Sequence, residues 1–392
     1  MRFVAIISEF NPLHNGHAYI LKETRRLFPD HGIIVIMSGN FVQRGDVAVF
    51  EKHIRANHAL LAGADAVVEL PFPFCSANSE HFAVAAVKLI KGLNAVDALV
   101  FGSECGDTER LIELERLTRE TPELSKLIKK NCKSLSYPAA MEKSLIELGV
   151  SDKDINAAFL PNNALAIQYI RALNRLAPNV RAVTVKRLGE AYGSENTEAD
   201  YPSAMAVRGE IFAGRVSKNI PFYVQKDVEN AFRCRDFGAE RDRFFRLLQG
   251  ASLNVADFGD YFDCDRDLAV RFSRAIFGTR DLDSFLKEVK NKRYTMARIK
   301  RVALYVLMNV TNEMYGKCMD CEMPLNVLAL RDGNILKELR ENASCAVITG
   351  NVELTAQASP VCAAIIRANT VYAAITGEKA PSSVVFLIKN AR

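Results

Sequence analysis

Glu9-Phe10-Asn11-Pro12-Leu13-His14-Asn15-Gly16-His17 stands between two segments of different periodicity. Before it, Phe3 to Ile7 is a short continuous apolar run; after it, Tyr19, Ile20, Leu21, Leu27 and Phe28 recur at roughly helical spacing. The stretch therefore reads as a strand-to-helix turn. Free backbone N–H groups at a helix N-terminus, and the positive end of its dipole, favour an anion, most often a phosphate. Gly16 lets the backbone approach that anion, while His14 and His17, three apart, lie on the same side of the first helical turn. Each imidazole can donate a hydrogen bond to a phosphoryl oxygen, and that donation strengthens as pyrophosphate leaves with added charge. An H-x-G-H match alone is a weak signal. Its position, at the end of the first strand of a doubly wound sheet, is where such folds bind nucleotides.

Working outward, Ile33 to Met37 is an apolar run of the kind a buried parallel strand shows. It ends in the polar loop Ser38 to Gly45, and a helix over Glu51 to Ala62 follows, carrying Lys52 and Arg55. Those two cations either add charge near the phosphates or decorate a helix face. Ala66 to Leu70 is a third strand, stopped by Pro71 and Pro73; a helix over about Glu80 to Lys91 leads to a fourth, Ala98 to Phe101. The order βαβαβαβ predicts a Rossmann-like, doubly wound parallel sheet. Its strand ends gather Asn40, Gln43, Arg44, Ser76, Asn78, Gly102 and Glu104 with the histidine turn into one ligand crevice. Thr108 to Gly149 is helical, and its Lys126, Lys129, Lys130 and Lys133 are either a solvated face or a nucleic-acid contact. Pro161-Asn162-Asn163 starts a helix with Asn available as cap, and Val180 to Val185 extends the sheet, so that Arg187 either reaches the crevice to hold phosphate oxygens or is a surface arginine at the strand end. Gly193 to Asp200 reads as a mobile loop; Ser203 and Arg208 beyond it have the form of a second phosphate clamp.

The chain has 392 residues and a formal net charge of only +5, so two domains are expected and a polycationic tail is excluded. Residues 1–214 form the nucleotide-binding domain in this reading, and 215–392 a mainly helical one. All six histidines lie at or before His81. Within Lys287 to Arg301, seven cations (Lys287, Lys290, Lys292, Arg293, Arg298, Lys300 and Arg301) face one anion, Glu288. Such a patch either neutralises phosphates or forms a solvated helix face. No segment reaches the ~18 apolar residues of a membrane helix, and no signal-peptide pattern opens the chain. Nine cysteines at scattered spacing suit reduced thiols in a cytoplasm. Cys318 and Cys321 make one C-x-x-C without histidine nearby, so no metal site is expected.

Asn11 to His17 resembles the first signature of the H-I-G-H nucleotidyltransferase superfamily, and Ser203 to Arg208 its second. With Met37 to Gly45, Glu69 to Phe72, Phe101 to Glu104, Ser136 to Pro138 and Pro161 to Asn163, the set resembles the bacterial tRNA(Met) cytidine acetate ligase family along nearly the whole chain. The resemblance implies a cytoplasmic enzyme that makes acetyl-adenylate from ATP and acetate, then acetylates N4 of the wobble cytidine of elongator tRNA(Met). It implies ATP contacts from Ile7, Ser8, Glu9, Phe10, Asn11, Pro12, Leu13, His14, Asn15, Gly16, His17, Ala18, Tyr19 and Ile20, and from Gly102, Asn162 and Arg187, with His14 and His17 catalytic. Magnesium is expected with ATP, and tRNA on Lys290, Lys292, Arg293, Arg298, Lys300 and Arg301. Met205 departs from the threonine usual in the second signature, Gly193 from a polar side chain, and His53 from an aromatic. Two rivals stay open: a nucleotidyltransferase acting on a cofactor precursor, and a non-catalytic tRNA-binding protein.

Overall fold

The computed structural model describes residues 1–188, 203–378 and 386–387. The loop read over Gly193 to Asp200 and most of the apolar run Val384 to Ile388 near the end of the sequence lie outside these residues. The chain opens with β1 (Phe3–Ser8), α1 (Asn15–Leu27), β2 (Gly32–Ser38), α2 (Lys52–Leu61), β3 (Ala66–Leu70), α3 (Ser79–Leu93) and β4 (Val96–Ser103). Then come α4 (Thr108–Leu117), α5 (Pro122–Asn131), α6 (Tyr137–Glu147), α7 (Asp152–Phe159), α8 (Pro161–Leu176) and β5 (Arg181–Lys186). Helices α9 (Ala204–Phe212), α10 (Phe222–Cys234), α11 (Phe237–Ser252), α12 (Arg266–Gly278), α13 (Leu282–Val289), α14 (Met296–Leu307) and α15 (Asn312–Asp320) follow. The chain continues with β6 (Leu325–Leu330), α16 (Gly333–Asn342), β7 (Val347–Ile348), α17 (Asn351–Ala356), α18 (Pro360–Thr376) and β8 (Phe386–Leu387).

The strands lie in the order β5-β4-β1-β2-β3-β6-β7, with β8 beside β6. All pairs among β1 to β5 are parallel, and β6 runs antiparallel to β3. Alternation along β1 shows why the sheet is covered on both faces. Phe3, Ala5 and Ile7 enter one core with residues of α3, α8 and the later helices; Val4 and Ile6 enter another with α1, α2 and α10. The first core runs without a break into the helical half, through Phe245, Phe272 and Tyr305.

Two features differ from the sequence reading. Leu325 to Leu330 is a buried strand in a region of helical periodicity, and it joins the N-terminal sheet, so the segment after residue 214 is mostly helical yet shares that sheet. Its end is pinned where Arg331 pairs with Asp65 at 2.9 Å. Helical periodicity runs from Asp227 to Leu248 in the sequence, yet the structure divides it into α10 and α11, because Asp236 turns the chain out and caps the second through the Ala239 N–H.

Lys52 and Arg55 face neither phosphates nor solvent. Lys52 is 1 % exposed and pairs with Glu69 at 2.8 Å, which also accepts from Asn326 at 2.6 Å. A Cβ on Gly39 would collide with the same carboxylate. Arg55 is fully buried and donates to the carbonyls of Phe50, Glu9, Ser38 and Gly39. Truncating one partner of a buried pair leaves the other charge uncompensated. Lys52→Met is therefore expected to cost about 3–5 kcal/mol in urea unfolding, and the double variant Lys52→Met, Glu69→Leu to recover much of it. A single variant as stable as the parent would contradict this burial.

Candidate functional site

Strand β1 has β2 on one side and β4 on the other, so the connections after β1 and β4 leave on opposite sides and open a crevice at their carboxyl ends. A cavity of about 230 Å³ lies there. From the segment Ile7 to Ile20, Ile7, Ser8, Glu9, Asn11, His14, Gly16, His17, Tyr19 and Ile20 line it, joined by Gly102, Asn162, Arg187, Ser203 and Arg208 from four other segments. Phe10 and Leu13 sit fully buried beneath the turn instead, and the Asn15 N–H bonds to the Asn219 carbonyl. Phe10 makes the turn at a φ of +45°, an uncommon conformation for an aromatic residue, and meets His17 edge-on at 5.0 Å.

The two histidines cap α1 reciprocally. The Gly16 N–H donates to His14 Nδ1 at 3.1 Å, and the His14 N–H to His17 Nδ1 at 3.3 Å. This is a capping box in which imidazoles replace the usual hydroxyl and carboxylate. An Nδ1 that accepts carries no proton, so both rings hold theirs on Nε2. The rings stack with centroids 3.7 Å apart. Burial, then the nearby Arg187 and Arg208, press the His14 pKa down to about 3; burial, then His14 and the same arginines, hold His17 well below its usual value. Both are neutral N–H donors at physiological pH.

Arg187 reaches the crevice from the end of β5. Its guanidinium donates to Asn162 Oδ1 at 3.2 Å, and Asn162 Nδ2 donates to Glu104 at 2.7 Å. Glu104 also accepts the Asn162 and Asn163 N–H groups, so α8 is capped by a carboxylate from the end of β4 and by neither asparagine. The Asn163 side chain in turn accepts from the Glu104 and Cys105 N–H groups. The Asn162 amide thus orients the arginine. Gly102 matters because a Cβ there would stand 3.2 Å from Arg187 Cγ, tight enough to displace it.

Arg208, on α9, donates to the Asn11 carbonyl at 2.8 Å and joins the second signature to the first. Ser203 lines the cavity while its hydroxyl accepts the Ala206 N–H as the helix cap. Asn11 accepts from the Val49 N–H, and its buried Nδ2 has no partner among the described residues. Glu9 accepts from the Gln43 N–H at 2.8 Å, and burial raises its carboxyl above the usual range. Glu9 and Asp46 are the carboxylates on the wall; among the described residues no group of three or more His, Cys, Asp or Glu side chains is arranged to hold a metal ion.

Other expectations are redistributed. Gln43 and Arg44 line the cavity, but Asn40 is buried away from it, bonding the Lys52 N–H and Asn369; the Ser76 carbonyl accepts from Tyr305, and Asn78 caps α3. None of the seven cations of the basic segment lines the crevice, and four of them are neutralised by aspartates from elsewhere in the chain, one of which, Asp46, is on the crevice wall. Arg293 pairs with Asp267, Arg298 with Asp263 and Asp265, Arg301 with Asp263, and Lys300 with Asp46. Lys287, Lys290 and Lys292 are exposed. The sequence placed seven cations together but could not show the aspartates that fold back on them. Asp46 and Met205 also line the cavity; the polar loop at the end of β2 is the sequence signal for the first, and the second lies within the segment resembling the second signature.

A family model described as HIGH Nucleotidyl Transferase matches residues 1–384. A tRNA(Met) cytidine acetate ligase of Caldanaerobacter subterraneus subsp. tengcongensis is 32% identical over 356 residues, 89% of this chain and 88% of that protein. One from Caldicellulosiruptor bescii is 34% identical over 312 residues, 78% of this chain and 77% of its own. The crystal structure of Thermotoga maritima TmcAL bound with alpha-thio ATP superposes with a TM-score of 0.82 at 26% identity, covering 96% of this chain and 95% of that one. Its apo form gives 0.86 at 28%, with the same coverage.

Imidazoles kept neutral by the fold titrate near 6.5 once unfolded, so the unfolded chain takes up more protons below that pH. Their contribution is complete above about pH 6.5 and is lost progressively as pH falls toward the depressed folded value. His14→Asn, which keeps a capping side chain, is expected to flatten the fall of Tm between pH 6.5 and 4.5. An unchanged slope would contradict the neutral assignment.

Proposed function

The chain belongs to the tRNA(Met) cytidine acetate ligase family of HIGH nucleotidyl transferases, and from that membership we propose that it is an ATP-dependent ligase that activates acetate and acetylates N4 of the wobble cytidine of elongator tRNA(Met). The observation that carries this reading is the pair of Nε2–H imidazoles facing a crevice that also holds Arg187 and Arg208. Four preset donors of this kind suit a polyphosphate whose charge grows on cleavage.

In the first step an acetate oxygen attacks the α-phosphorus of ATP, the bond to the bridging oxygen breaks, and pyrophosphate leaves with the electron pair. His14 and His17 donate to the departing oxygens without giving up a proton, and the arginines neutralise the accumulating charge. Being neutral, the rings leave ground-state binding to the arginines and strengthen their bonds as charge develops. Gly102 admits the nucleotide beside β4, and Asn162 holds the Arg187 fork in place. In the second step the cytidine N4 attacks the acyl carbon, AMP leaves with the electron pair of the cleaved C–O bond, and the amine gives up a proton. No protein nucleophile is needed. Magnesium bound with ATP would offset phosphate charge, and Glu9 and Asp46 are the wall carboxylates that would face it. Like its relatives' named substrate, the RNA is tRNA(Met), and the exposed Lys290 and Lys292 are the cations of the proposed contact segment that stand clear of the ion pairs above.

Purified protein given ATP, isotopically labelled acetate and bacterial tRNA is expected to yield labelled N4-acetylcytidine on digestion and mass spectrometry. His17→Ala is expected to lower the yield by about 10²–10³-fold, the range for loss of one preset donor. Undiminished product from that variant would overturn the role of the histidine pair; RNA binding without product from the parent chain would favour the non-catalytic reading.

A further inference from the structure

Beside the nucleotide crevice is a second cavity of about 650 Å³. Asp46, Met205 and Arg208 line both, so the two spaces share a wall of one carboxylate, one thioether and one guanidinium. The floor of the second cavity is apolar, with Phe244, Leu286 and Ile375 buried under it. Phe212, at the end of α9, is 55 % exposed and meets Phe237 edge-on, with ring centroids 5.3 Å apart. Phe237 is fixed from behind: the Arg235 guanidinium carbon lies 5.0 Å from its ring centroid, and Glu240 holds that guanidinium through two bonds of 2.7 and 2.8 Å. Lys287 stands exposed on the rim. Lys300 occupies Asp46 Oδ1 at 2.6 Å and leaves Oδ2 to accept.

Exposed aromatic faces offer stacking to a base removed from its strand, a rim cation meets the flanking phosphates, and a carboxylate accepts from an exocyclic amine. An acyl chain or an apolar peptide would use the floor but not the carboxylate in the shared wall. We propose that this cavity receives the acceptor base of the RNA, an aminopyrimidine turned out of its strand and stacked on Phe212, with Phe237 meeting it edge-on and its amine hydrogen-bonded to Asp46 and facing the nucleotide crevice. The assignment rests on the ligase reading and adds where the acceptor sits. It also gives Met205 a place, since a flexible thioether in the partition yields more readily than a branched side chain when base and activated acyl group meet.

The test uses the full chain and an RNA stem-loop with the elongator tRNA(Met) anticodon sequence, carrying fluorescent pyrrolocytidine at the wobble position. Binding is expected to quench the fluorophore, and to leave it unquenched when it is moved to another loop position. Phe212→Ala is expected to bind about tenfold more weakly and to lose the quench, as for removal of one stacking partner. Phe212→Tyr, which keeps the ring, is expected to retain both, and thermal melts show that each variant is folded. Equal quenching by Phe212→Ala, or displacement of the quench by ATP alone, would overturn the assignment. Quenching by a parent chain that makes no acetylcytidine would contradict the ligase reading while leaving the base-binding cavity in place.

Discussion

A single buried cation holds the ends of the two central strands together. Arg55 donates to the carbonyls of Glu9, Ser38 and Gly39, where β1 and β2 run out, and to Phe50 just ahead of its own helix. Carbonyls at strand ends have no ladder partner, and burying them unpaired costs free energy. A guanidinium with five donors in a rigid fork satisfies several at once. Burial draws its pKa below the usual range, opposed by Tyr372, Glu51 and Glu9. What the arrangement fixes is the exit of β1, and with it the turn that carries the histidines.

From that fixed exit the site follows by short links. Phe10 turns the chain at positive φ, Asn11 bonds Val49, and His14 caps the helix while His17 bonds back to it. The bonds that cap the helix also set both tautomers, so structure and chemistry depend on the same two atoms. Arg208 ties the second signature to the Asn11 carbonyl, and the chain from Arg187 through Asn162 to Glu104 ties the end of β5 to α8 and β4. Five segments thereby meet at the switch point of the sheet. Placing ionic groups in clamps rather than on the surface leaves the crevice with donors whose directions are set before a ligand arrives.

The sequence showed the alternation of strands and helices, the turn after β1 and the cations at the strand ends, because each is a local pattern. Helix and strand periods, a Gly within a turn and a spacing of three between histidines are all properties of neighbouring residues. Other features were hidden for the opposite reason. That Lys52 and Arg55 are buried depends on Glu69 and on carbonyls brought near by folding. The strand Leu325 to Leu330 becomes one because β3 offers an edge more than two hundred residues earlier. The cap of α8 comes from Glu104, not from an adjacent asparagine. Likewise, the cations of Arg293 to Arg301 find Asp46, Asp263, Asp265 and Asp267 only in three dimensions.

The fold itself presents His14 and His17 as neutral Nε2–H donors to the crevice. Nitrogen-15 NMR of the imidazoles, assigned by single substitutions and recorded at pH 7 without nucleotide, measures this directly. Both rings are predicted to show unprotonated Nδ1 and protonated Nε2. A charged ring, or a proton on Nδ1 of either histidine, would contradict this assignment.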